Sequence, residues 1–256
     1  MSDITFKTLG GEGQDLVMIH GFGSDRLSWA GNAPSLMEVA RVHSLDLPGH
    51  GDSLAAETGD GSPLALAELV ADALDAKGIE KAHLLGHSLG GGIAMILALG
   101  QPERVMSLSL LAPAGLGRGI DQDFLADFPE LGTTEDASAL LQRLVTKPMF
   151  INRLTVARVL EQLERPGARA ALRSIAEGIV MQEPQLGEWS GQIAATGIPR
   201  LVIFGGADQI NPPDPISLVG FAGRMLVIPE AGHLPHIEAA RQVNAELTGF
   251  IKSVGA

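Results

Sequence analysis

The chain has 256 residues, enough for one large domain or two modest ones at about 100–200 residues each. With 45% hydrophobic and 19% charged residues it has the composition of a globular protein rather than a disordered one. Its net charge of −12 disfavours phosphate backbones and anionic membrane surfaces, so neither nucleic acid nor membrane is an expected partner. There is no cysteine and no tyrosine, which removes disulfides, thiolate nucleophiles, zinc–sulfur sites and phenolic acids or bases. Catalysis, if present, must use Ser, His, Asp, Glu, Lys, Arg or backbone amides. No apolar run reaches the length of a membrane span. The start, MSDITFKTLGGEGQDL, has no basic segment followed by an apolar block, so no signal peptide and a cytoplasmic location are expected.

In chain order, short apolar runs alternate with helical patterns. Leu16–His20, Arg41–Leu45, Ala82–Gly86, Val105–Leu111, Arg200–Phe204 and Arg224–Ile228 read as strands. Several are apolar at consecutive positions, as in parallel strands covered on both faces. Ser62-Pro63 opens a helix that stops at Gly78; Leu89–Gly100 is a second, apolar almost all round; Pro235–Lys252 contains the last. Alternation of this kind predicts an α/β fold with a mostly parallel sheet. It breaks between residues 116 and 190, where helical patterns at Asp121–Phe128, Glu135–Thr146, Met149–Glu164 and Ala168–Met181 follow one another without a strand. The expected organisation is a core in two parts, residues 1–115 and 191–256, with a helical cap over residues 116–190. An insertion at the strand ends lies where α/β sheets bind ligands.

Gly86-His87-Ser88-Leu89-Gly90 fits G-x-S-x-G between a predicted strand and a predicted helix, the context the motif requires. A serine on such a turn projects above the sheet, near the free amides of the next helix. It needs a base held by a third group. Asp208 follows the strand in LVIFGGAD and His233 lies in PEAGHLPHIEAA, so Ser88, Asp208 and His233 each stand just past a strand and can meet at one sheet edge. His236 is the alternative base and Asp214, in NPPDP, the alternative acid; both are disfavoured, His236 because a helix starts there and Asp214 because it reads as a turn residue. His43 and His83 sit in strands and read as structural. Oxyanion donors are expected from the Leu89 amide and, in His20-Gly21-Phe22-Gly23, the amide of Phe22. Phe22, His87, Phe124, Phe128, Trp189 and Leu234 are candidate substrate contacts, with Met149 and Phe150 as further possible lining. Arg118, Arg143, Arg153, Arg158 and Arg173 could include a carboxylate-binding arginine. Asp46–Ser53 reads as a turn-rich loop supporting the elbow. No phosphate loop and no acidic metal cluster is present, so no metal and no cofactor are expected.

The segments HGFGSDRLSW, LDLPGHGDS, GHSLGGGIA, LVIFGGAD and GHLPHIE together resemble the α/β-hydrolase superfamily from about Leu16 to Ile251. That resemblance implies an eight-stranded, mostly parallel sheet, a cap after the sixth strand and an acyl-enzyme mechanism. Dehalogenase and epoxide hydrolase relatives carry Asp where Ser88 stands, which argues against both chemistries. PERVMSLSLLAPAGLG and GHLPHIEAARQVN are similar to the hydrolase-like C-terminal region of acetoin dehydrogenase dihydrolipoamide acetyltransferases. No lipoyl-lysine segment precedes the core and H-x-x-x-D-G is absent, so hydrolysis is expected to replace transfer. The layout also resembles the capped carbon–carbon bond hydrolases of aromatic degradation, with Asn32 in the place of their oxyanion-side polar residue. The expected activity is a serine hydrolase acting on a small acyl substrate. Acyl transfer, carbon–carbon bond hydrolysis and a ligand-binding protein without turnover are the alternatives. Oligomeric state is not legible.

Overall fold

The computed structural model describes residues 4–221 and 223–255. Its sheet has seven strands: β1 (Phe6–Gly10), β2 (Asp15–Ile19), β3 (Arg41–Leu45), β4 (Ala82–His87), β5 (Val105–Leu111), β6 (Arg200–Gly205) and β7 (Arg224–Ile228). Their order is β1-β3-β2-β4-β5-β6-β7, with β1 antiparallel to β3 and the other pairs parallel. The expected eight strands are therefore seven among the described residues, and the helical insertion follows the fifth strand rather than the sixth. β1 carries no strong apolar signal because it is an edge strand with an exposed middle.

Among the described residues ten α-helices accompany the sheet: α1 (Ala33–Leu36), α2 (Pro63–Ala76), α3 (Leu89–Gly100), α4 (Gln122–Asp127), α5 (Thr134–Gln142), α6 (Arg153–Glu164), α7 (Ala168–Ala195), α8 (Pro215–Phe221), α9 (Pro235–Glu238) and α10 (Ala240–Val254). The predicted caps act as expected at α2: the Ser62 hydroxyl accepts from the Ala65 amide, and Gly78 takes a left-handed φ of 68° just past the helix.

Each central strand divides its side chains by the two-residue period of a pleat. Val17 and Ile19 of β2 join Leu66, Val70, Ile93 and Leu97 of α2 and α3 in one apolar cluster. Leu16 and Met18 point the other way, into a cluster with Trp29, Leu36, Val243 and Phe250. α4, α5, α6 and the first part of α7 supply most of a third cluster, around Phe124, Phe128, Leu141, Val156 and Leu172, which Ile210 joins from the loop after β6.

α7 corrects one expectation. The helix does not stop before Glu183-Pro184 but continues unbroken through Pro184 to Ala195. A proline inside a helix removes one backbone hydrogen bond. Burial of Leu186 and Ile193 on the sheet side, both fully inaccessible, outweighs that loss. No helix among the described residues is long and apolar enough to cross a membrane.

Candidate active site

The register of the sheet assembles the site. β2 pairs with β4 so that Ile19 lies opposite Gly86. The loop after β2, His20–Gly23, therefore runs beside the turn after β4 that carries Ser88. The chain leaves β2 towards β3 on one side and returns to β4 on the other, which opens a crevice at these carboxyl ends.

Ser88 sits between β4 and α3 with φ 51° and ψ −115°, a conformation costing a non-glycine residue about 1–3 kcal/mol. The surrounding glycines are there because nothing else fits. A Cβ on Gly86 would lie 2.3 Å from the Gly90 carbonyl oxygen, and one on Gly90 2.2 Å from that of Ile19. The strained residue is held by its own backbone: the Ser88 amide donates to the Leu111 carbonyl at 2.9 Å, and its carbonyl accepts from Ala114 at 3.0 Å. Leu89 is the first residue of α3, where helical amides have no acceptor within the helix.

Two further glycines bring the loops after β6 and β7 together. A Cβ on Gly205 would lie 2.0 Å from the Gly232 carbonyl oxygen, and one on Gly206 2.8 Å from the Pro229 Cα. This close approach places His233 against Asp208. His233 Nδ1 is 2.8 Å from Asp208 Oδ2, and both side chains are almost wholly buried. The other Asp208 oxygen accepts from the amides of Ile210 and Asn211 at 2.8 and 2.9 Å, which fixes the carboxylate. Because a carboxylate only accepts, Nδ1 carries the proton and Nε2 is left as the basic nitrogen. Ser88 and His233 line the same cavity, of about 450 Å3.

The alternatives separate by geometry. His236, on α9, stacks between Trp29 and His87 at ring-centroid distances of 4.8 and 4.7 Å, and burial pushes its pKa down to about 3. Asp214 accepts from the Ser217 amide and hydroxyl at the start of α8, a capping role. His43 pairs with Asp15 and Thr8, and His83 with Ser107 and Gln14, so both are structural. His87 Nε2 donates to the His233 carbonyl at 2.9 Å, and burial, reinforced by His236 and His233, holds it well below its ordinary pKa.

The loop bearing Phe22 is clasped by two histidines. The Leu47 amide donates to His20 Nε2 at 2.9 Å, and the Gly23 amide donates to His50 Nε2 at 3.1 Å. Each ring donates its Nδ1 proton to a backbone carbonyl, that of Gly21 for His20 and that of Pro48 for His50. Both rings must be neutral to accept in this way. Burial agrees, lowering the pKa of His20 and taking that of His50 to about 3. The Asp46–Ser53 loop thus holds the His20–Gly23 loop, where the sequence suggested support for the elbow. The clasp joins residues 27 positions apart, and no local motif announces it.

Phe22, His87, Phe124, Phe128 and Leu234 all line the cavity. Phe128 packs on Phe22 at 5.5 Å between centroids, and a Cβ on Gly23 would meet its ring at 2.4 Å. Trp189 is not brought to the cavity. It lies on the same stripe of α7 as Leu186 and Ile193 and packs against the sheet-side core. Met149 is 77% exposed, and Phe150 packs within the insertion's own cluster. Of the arginines, Arg158 reaches the cavity rim, where it pairs with Asp25 at 2.6 Å; Arg143 pairs with Asp121 and Arg173 with Glu130 away from it. Among the described residues no cluster of three or more His, Cys, Asp or Glu side chains could hold a metal ion.

Comparison with known proteins agrees with this architecture. The family model described as the alpha/beta hydrolase fold matches residues 16–240. The dihydrolipoyllysine-residue acetyltransferase component of the acetoin cleaving system of Pseudomonas putida is 38% identical over 95% of the chain, which spans 65% of that relative's length. The pimeloyl-[acyl-carrier protein] methyl ester esterase of Aeromonas hydrophila is 32% identical, covering 94% of this chain and 96% of that one. A meta-cleavage product hydrolase from Pseudomonas fluorescens superposes with a TM-score of 0.86 at 24% identity, covering 98% and 94% of the two chains, a likeness of fold. The chain belongs to the α/β-hydrolase family of enzymes.

Proposed function

We propose that this enzyme is a serine hydrolase cleaving a small carboxylic ester or thioester through Ser88, His233 and Asp208. The observation that carries the reading is the buried His233–Asp208 contact of 2.8 Å on the cavity that also presents the strained Ser88. In this reading His233 Nε2 takes the proton of Ser88 as Oγ attacks the substrate carbonyl carbon. Asp208 keeps the imidazole in the correct tautomer and balances its positive charge. The amides of Phe22 and Leu89 hold the oxyanion. The tetrahedral intermediate collapses, His233 passes its proton to the departing oxygen or sulfur, and the acyl group stays on Ser88. Water, deprotonated by the same imidazole, then attacks the acyl-enzyme and restores Ser88. Residues 116–190 act as a cap, and Phe22, Phe124, Phe128 and Leu234 receive the acyl chain.

Acyl transfer is the second reading, favoured by the similarity to the acetyltransferase component. It uses the same acyl-enzyme with a thiol or alcohol in place of water. One experiment addresses both: hydrolysis of short and long p-nitrophenyl esters by wild type and Ser88→Ala, with and without a competing thiol. Turnover by the wild type alone, with free acid as product even in the presence of thiol, supports hydrolysis. Acyl-thiol as the dominant product moves the reading to transfer. Equal turnover by Ser88→Ala overturns both.

A further inference from the structure

Resting on the reading of His233 as the base, the structure assigns a positioning role to Glu238: its carboxylate ties the loop carrying the imidazole to the end of the helical insertion. Glu238 is the last residue of α9, five residues beyond His233, and is half-buried. Its Oε1 accepts from the Gly232 amide at 2.7 Å, immediately before the histidine. Its Oε2 accepts from the Thr146 amide at 2.8 Å and lies 2.8 Å from the Thr146 hydroxyl, which is also 2.7 Å from the Glu230 carbonyl oxygen. One carboxylate therefore holds both the approach to His233 and the segment just past α5.

The same segment reaches the histidine directly. The His233 amide donates to the Leu144 carbonyl at 2.8 Å. Gly232 is buried against this segment, and a Cβ there would lie 2.8 Å from the Leu144 carbonyl oxygen and 3.1 Å from both Glu238 Oε1 and the Val145 Cα. On the other side, the His233 carbonyl is held by His87. The backbone of His233 is thus gripped at its amide by the insertion, at its carbonyl by the elbow, and at the preceding amide by Glu238. Asp208 fixes the ring through one hydrogen bond, which leaves the ring's direction to the backbone that bears it. Glu238 contributes charge-assisted hydrogen bonds from backbone amides, which are stronger than bonds between neutral groups. Leu144 and Leu234 also line the cavity, so the tied segment is part of the substrate wall. A shift of the insertion is passed to the base through Thr146 and Glu238.

The test compares wild type, Ser88→Ala, Glu238→Ala, Glu238→Gln, Thr146→Val and Thr146→Ser in the full chain, each checked for folding by its thermal unfolding midpoint. Kinetics with a short p-nitrophenyl ester and the rate of labelling by a fluorophosphonate are measured. Misplacing a reacting group by about 1 Å can cost on the order of 100-fold, so Glu238→Ala is expected to lose about 10–100-fold in kcat with KM little changed. Its labelling rate falls by the same factor. Glu238→Gln falls as well, because its amide nitrogen must face one of two N–H donors. Thr146→Val shows a smaller loss, and Thr146→Ser, which keeps the hydroxyl, restores wild-type rates. If Glu238→Ala does not fold, the two Thr146 variants carry the comparison. Folded Glu238 variants with wild-type kcat and labelling overturn the proposal, as does a loss confined to KM or Thr146→Ser behaving as Thr146→Val. Those results leave the triad standing when wild type is labelled and Ser88→Ala is not. An unlabelled, inactive, folded wild type overturns the triad and this role together.

Discussion

The sheet edge and the helical insertion make the same cavity by different means. At the edge, position is set by backbone. Gly86, Gly90, Gly205 and Gly206 allow main chains to approach within distances that any Cβ would block, and the strand register then brings Ser88, Asp208 and His233 to one place. The insertion supplies most of a further apolar cluster and meets the edge through side chains, Phe128 on Phe22, Arg158 on Asp25 and Thr146 on Glu238, as well as through backbone bonds such as that from the His233 amide to the Leu144 carbonyl. Backbone-set geometry is rigid and suits groups that must meet within a hydrogen bond. Side-chain contacts can be exchanged without disturbing the sheet, which fits the proposed role of the insertion as a cap that selects substrates.

If this contrast holds, substitutions at the edge strike turnover and those in the insertion strike selectivity. The largest effect is expected from Asp208→Asn, which leaves the fold intact but offers His233 the wrong tautomer; kcat should fall about 10⁴-fold, as measured with a p-nitrophenyl ester. Gly23→Ala comes next. It forces a left-handed φ of 68° on a residue with a Cβ aimed at the Phe128 ring, so the loop bearing Phe22 must move. Loss of one oxyanion donor costs about 10²–10³-fold in kcat, and circular dichroism should remain native. Phe128→Ala, within the insertion, should change the ratio of kcat/KM between long and short esters by about 10–200-fold while the better substrate keeps its kcat. A uniform drop on all esters would erase the distinction between the two regions.

The smallest effect is on stability. His20, His50, His87 and His236 are buried neutral, with pKa values lowered from 6.5, to about 3 for His50 and His236. Between about pH 6.5 and 3 the unfolded chain binds protons that the folded chain does not. Stability is therefore fully present above 6.5 and declines as pH falls through that window. His50→Gln should lower the dependence of unfolding free energy on pH by about one proton, read from denaturant titrations at several pH values. An unchanged slope would mean that His50 is charged in the folded state, which the amide of Gly23 donating to its Nε2 forbids.

The contrast also explains what the sequence made legible. The strand–turn–helix around Ser88 and the loops ending LVIFGGAD and PEAGHLPHIE are local patterns, and their chain order is enough to predict that they meet. Where each residue falls relative to a helix start or a turn favours His233 over His236 and Asp208 over Asp214; in the structure His233 meets Asp208, His236 stacks on His87 and Asp214 caps α8. What was not legible depends on partners far apart in sequence. The His50–Gly23 bond, the Arg158–Asp25 pair and the Thr146–Glu238 contact leave no periodic or motif signal. Trp189, a candidate for the cavity, packs instead against the sheet-side core, because α7 continues past Pro184 to Ala195. β1 escaped notice because an exposed edge strand has little apolar pattern to read.

The central claim is that the backbone of the elbow presents an activated serine to His233. It is tested most directly by intact-protein mass measurement after incubation with a fluorophosphonate, followed by peptide mapping, for wild type and Ser88→Ala. The account predicts one label per wild-type chain, carried on Ser88, and none on the folded Ser88→Ala variant. A folded wild type that takes no label, or one labelled at another residue, would contradict it.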